Sequence, residues 1–115
     1  MVDPERHLER GIALFHAGRF HEAHEEFEAA WRAAPRCERF FLQALVHCAA
    51  AHHHASRRNF AGAMAQARRA ARKLAGYLPE HGGIDTRRLI GDLEAWNRAW
   101  QRGLAAGQAT IGVRR

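Results

Sequence analysis

Apolar residues return along this chain at intervals of three and four, and the stretches between them are punctuated by Gly, Pro, Asp and Asn. Leu8, Ile12 and Phe15 form the first stripe, which starts after Asp3-Pro4 and ends at Gly18. Asp3 offers a capping carboxylate and Pro4 suits the first helical position. Phe20, Ala23, Phe27, Ala30 and Trp31 form a second stripe, stopped by Pro35. Only Gly18-Arg19 separates these two helices, so they must run antiparallel. A third helix is predicted from Glu38 to Ser56. Phe40, Phe41, Leu42, Ala44, Leu45, Val46 and Cys48 make it apolar nearly all round, the mark of a central element. Asn59 caps a fourth helix with Phe60, Met64, Ala67, Ala71 and Leu74 inward, closed by Pro79. Gly82-Gly83 make a turn, Asp85 caps again, and Leu89, Leu93, Trp96 and Trp100 stripe a fifth helix. No segment alternates with the period of a strand. The pattern predicts an all-α fold of two antiparallel helical hairpins plus a C-terminal closing helix, a five-helix bundle over residues 1–106. Residues 107–115 carry no pattern and read as a loose tail.

An internal echo supports the division into hairpins. Phe20, Ala23, Phe27 and Ala30 return forty residues later as Phe60, Ala63, Ala67 and Ala70. Small residues at these places let the second helix of each hairpin come close to its partner. Gly11, Gly18, Ala23, Phe27 and Pro35 also stand at the spacings of a tetratricopeptide unit. His7 and Arg10 occupy that motif's Trp and Leu places, so the expectation is tetratricopeptide-like geometry and not membership in an array.

Bulk properties change this picture little. A length of 115 residues suits one domain, and no run approaches the roughly 20 apolar residues of a membrane span. The charged stretch from Met1 to Arg10 has no apolar signal core, so a cytoplasmic protein is expected, with no membrane partner. Cys37 and Cys48 form no CxxC pair and read as reduced thiols. The net charge of +6 is uneven: residues 1–40 carry −2 and residues 41–115 carry +8, with no acid between Phe41 and Pro79. Arg68, Arg69, Arg72 and Lys73, with Arg57 and Arg58, make a candidate phosphate-binding patch. No aromatic is interleaved along that run for base stacking.

The candidate chemistry lies on the second and third helices. His24, Glu28 and Trp31 share a stripe beside the core stripe of Ala23, Phe27 and Ala30, with His21, Glu25 and Arg32 outward of it. An imidazole and a carboxylate four residues apart can share a divalent metal ion. The second histidine of the HExxH zinc motif is absent. The third helix adds Gln43, His47 and the run His52-His53-His54, from which Gln43, His47 or His53 would complete a site with His24 and Glu28.

These same residues carry a resemblance. Phe20, Glu22, Ala23, His24, Glu25, Glu28 and Trp31, then Phe41 to Leu45, Ala49 to His54, Asn59, Gly62 and Ala63, resemble the pattern of the family called domain of unknown function 309. Ala44 and Arg58 stand where that pattern has glycine. The resemblance implies a compact helical fold and no established activity. It singles out Glu22, His24, Glu25, Glu28, Trp31, Gln43, His53 and Asn59 as its shared polar and aromatic positions. The leading expectation is a non-catalytic binding or scaffold module with a polar His/Glu/Trp site between the second and third helices. Its partner would be a protein or a second copy joined through Trp96 and Trp100. A metal-binding protein or metal-dependent hydrolase using His24 and Glu28, and a nucleic-acid-associated protein using the Arg68–Lys73 face, are the alternatives.

Overall fold

The computed structural model describes residues 3–113. Five α-helices follow in order: α1 Pro4–His16, α2 Phe20–Ala33, α3 Arg39–Ser56, α4 Phe60–Leu74 and α5 Thr86–Gln101. Short 3-10 turns, Arg36–Glu38 and Ala75–Tyr77, precede α3 and follow α4. Among the described residues there is no strand, only isolated bridges joining His81 to Ile84 and Ile84 to Val113. The fold is the expected all-helical bundle. Each helix packs extensively on the next in sequence.

The sequence punctuation acts as the pattern predicts. Asp3 Oδ1 accepts from the Glu5 amide, Asn59 Oδ1 from the Gly62 amide and Asp85 Oδ1 from the Arg88 amide, each at 3.0 Å. At the end of α1, Gly18 takes φ 77°, and the Gly18 and Arg19 amides donate back to Phe15 and Leu14 carbonyls. That closure turns the chain straight into α2. The end of α3 closes identically, through Arg58 and Asn59 amides to Ala55 and His54 carbonyls, but with Arg58 at φ 60°. The glycine of the resembled pattern is thus replaced without loss of the turn.

Phe15, Phe27, Phe41, Leu45, Leu74, Leu89, Leu93 and Trp100 fill one continuous core. Gly11 is needed where α1 crosses α2: a Cβ there would lie 2.4 Å from Phe27 Cε1. Two expectations are corrected. The tail is seated as far as Val113: Ala109 and Ile111 are buried, the Ile111 amide donates to His16 Nε2 (2.9 Å), and the Asp85 amide donates to the Gly112 carbonyl (2.9 Å). These partners lie far away in sequence, so no local period announces them. Trp96 and Trp100, expected as a possible dimer contact, are 6% and 2% exposed inside their own chain. Their rings close on Phe15 and His52, which leaves no protruding tryptophan end for a second copy.

Candidate functional site

Antiparallel packing of α2 on α3 brings the histidines of both helices to one seam. His21 and His24 rings lie nearly parallel with centroids 6.5 Å apart, and His21 approaches His53 of α3 to 5.2 Å. His53 neighbours His54 at 6.5 Å. Outward, His21 Nε2 meets Glu25 Oε1 at 2.9 Å. His24 and Glu28 are neighbours, yet Nε2 and Oε2 stand 3.9 Å apart and both side chains are only half-buried. Glu28 is instead engaged by the Arg32 guanidinium at 2.5 Å. The pair expected in a site between the second and third helices therefore stays partly open to solvent.

Burial pulls the His53 imidazole below its ordinary pKa, and the neighbouring His21, Arg57, His54 and His24 add to that. His47 is lowered chiefly by burial, and by Lys73, Arg69 and His24, against a raising hydrogen bond to Gln66. The His47 Nδ1–H donates to Gln66 Oε1 at 2.7 Å, which ties the ring to α4. His24, Glu28, His47 and His53 therefore share a region without converging on a point. Among the described residues no three His, Cys, Asp or Glu side chains are grouped to hold a metal ion.

The other singled-out positions have internal employment. Glu22 accepts from Nε and Nη2 of Arg19, at 2.7 and 2.6 Å. Asn59 caps α4, Trp31 packs half-buried against the core, and Gln43 Oε1 accepts from Lys73 Nζ at 3.2 Å. What remains facing solvent is a ridge of His21, His24, Glu25, Glu28 and His53.

The basic residues split into two groups. Arg57 and Arg58 sit at the α3–α4 turn, whereas Arg69, Arg72 and Lys73 lie roughly 15–20 Å away toward the end of α4. Arg58 stacks over Phe60, 5.6 Å from the ring centroid. Lys73 is drawn inward by Gln43 and by Phe40, whereas Arg68 is exposed. The run itself carries no aromatic, as its sequence shows, but the fold brings two to it from elsewhere in the chain. Phe40 and Tyr77 stand beside Arg69, Arg72 and Lys73 in one cleft.

Sequence reasoning also passed over His52. It is 5% exposed, boxed by Phe15, Phe20, Trp96 and Trp100, and its Nε2 has no hydrogen-bond partner. Leu45, Cys48, Ala49 and His52 follow one helical stripe, a signal that would have placed this histidine, and not His53, in the core.

The family described as Domain of unknown function (DUF309) matches residues 8–66, which run from α1 through α3 into α4 and include the whole ridge. No curated protein matches the chain.

Proposed function

The chain belongs to the DUF309 family, and from that premise we propose that it is a non-catalytic binding module whose contact surface for a protein partner is the α2–α3 ridge. The observation that carries this reading is the gathering of three imidazoles from two helices on a solvent-facing seam, flanked by Glu25 and Glu28. Imidazole faces stack on aromatic or guanidinium planes, and the two carboxylates accept from basic groups. A partner presenting arginine and aromatic side chains fits that chemistry. Catalysis is the weaker reading: His24 and Glu28 lie beyond hydrogen-bond distance, and they line neither the cleft beside Phe40 nor the one beside Leu8 and Ile84.

Site-specific photo-crosslinking in the native cell tests the proposal. A photoreactive residue at Glu25 should yield one discrete protein adduct, absent when the same residue stands at Glu94 on α5. Equal adduct patterns at both positions would overturn it. A divalent metal ion on His24, Glu28, His47 and His53 is the second reading, for which the neighbouring pair His24 and Glu28 is the starting observation. Stoichiometric zinc binding by protein purified without a metal column, lost in His24→Ala, would support that reading in place of the first.

A further inference from the structure

The cleft at the junction of α3 and α4 has a composition unlike the rest of the surface. Phe40, the second residue of α3, is 64% exposed, while Phe41 beside it is buried. No other large apolar side chain among the described residues is exposed to that degree. It shares a cleft of about 700 Å³ with Arg69, Arg72, Lys73, Gly76 and Tyr77. The walls are fixed. Tyr77 Oη donates to the Cys37 carbonyl (3.1 Å), tying the turn after α4 to the turn before α3. Lys73 Nζ, held by Gln43 Oε1 at 3.2 Å, sits over one face of the Phe40 ring, 5.4 Å from its centroid.

The charge around this aromatic is of one sign. The chain carries no acid from Phe41 to Pro79, and the nearby Glu38 is taken by His81 at 2.5 Å. The cationic groups line the cleft, and nothing within 4 Å would obstruct a Cβ at Gly76. An exposed aromatic ring framed by cations has a specific complement: an unpaired base to stack on the ring and phosphates to meet the cations. Stacking of that kind tolerates any base, since every base has a π-face.

We infer that this cleft binds single-stranded nucleic acid, with one base on the free face of Phe40 and the flanking phosphates on Arg69, Arg72 and Lys73. A duplex keeps its bases stacked on each other and offers nothing to Phe40. The inference stands independently of the histidine ridge, which lies on α2 and the other half of α3.

Fluorescence anisotropy with a labelled ten-nucleotide strand, as oligo(U) and as oligo(dT), reads the binding directly. Binding at low salt should fall with salt at a logarithmic slope near −2, as about three neutralised phosphates require. Phe40→Ala and Arg69→Glu/Arg72→Glu should each weaken it at least fivefold. Phe40→Leu, which keeps the apolar surface, should weaken it nearly as much as Phe40→Ala. The charge-matched Arg98→Glu/Arg102→Glu, at the C-terminal end of α5 and just beyond it, should change it less than twofold, and a duplex of equal length should bind at least fivefold more weakly. Circular dichroism checks that each variant folds. No binding at low salt, equal binding of duplex, or an unchanged affinity in both Phe40 variants would overturn the inference. Complete competition by equimolar free nucleotide would overturn it in favour of a mononucleotide pocket.

Discussion

His52 makes the stability of this protein depend on pH in a way one substitution can isolate. Its ring lies among Phe15, Phe20, Trp96 and Trp100, with Nε2 unpartnered, and burial lowers its pKa from 6.5 to about 4. A histidine whose folded pKa is depressed stays neutral in the native state while the unfolded chain takes up a proton. Below the unfolded value of 6.5 the unfolded state binds more protons, so stability falls as pH drops from 6.5 toward 4. With 1.36 kcal/mol per pKa unit, moving from pH 7.5 to pH 4.5 removes about 2–3 kcal/mol through this group alone. That is a large part of the roughly 5–15 kcal/mol that holds a domain folded. The assay is urea unfolding of wild type and His52→Phe across that range. Phenylalanine suits the aromatic box and cannot titrate, so the difference between the two pH profiles isolates His52 from the other histidines and carboxylates. The wild-type disadvantage should grow by about 2–3 kcal/mol on acidification. Two parallel profiles would refute the reasoning, and His52→Leu guards against a packing fault peculiar to the larger ring.

Gly11→Ala should destabilise the fold by about 1–3 kcal/mol in the same urea assay, because the added Cβ meets the fully buried Phe27 ring at 2.4 Å. Trp100→Ala should cost about 3–5 kcal/mol, since the side chain is 2% exposed within its own chain; a variant as stable as wild type would mean the indole is not part of the core. A thiol reagent at pH 8 should label Cys37 alone in the folded chain. Cys48, fully buried with its thiol pushed up to about 12, should react only once denaturant is added.

Helix boundaries were legible because single residues make them. Asp3, Gly18, Pro35, Asn59 and Asp85 each act on the backbone within a few positions, and each is found doing so. What α5 packs against was not legible. Leu89, Leu93, Trp96 and Trp100 show that a face is buried, yet a stripe cannot say whether its partner is Phe15 of the same chain or another molecule. The seated tail was missed for a related reason: Ile111 is held by His16, ninety-five residues away.

The candidate site was legible in its residue types and less so in its geometry. The second-helix pattern put His24 and Glu28 on one face, but whether Glu28 would turn to His24 or to Arg32 depends on exposure that spacing does not encode. On α3 the apolar character all round concealed which of Phe40 and Phe41 faces water, and so concealed the aromatic beside the arginines.

The central claim is that the α2–α3 ridge exists for recognition and not for folding. Its most direct test is the yield of the Glu25 photo-adduct in His24→Ala/His53→Ala relative to the unaltered ridge, measured in cells with helicity checked on the purified variant. Both side chains are partly exposed surface groups, so the fold should be retained within about 1 kcal/mol. The account predicts a fall in adduct of at least tenfold with the fold intact. An undiminished adduct from the stripped ridge would contradict it.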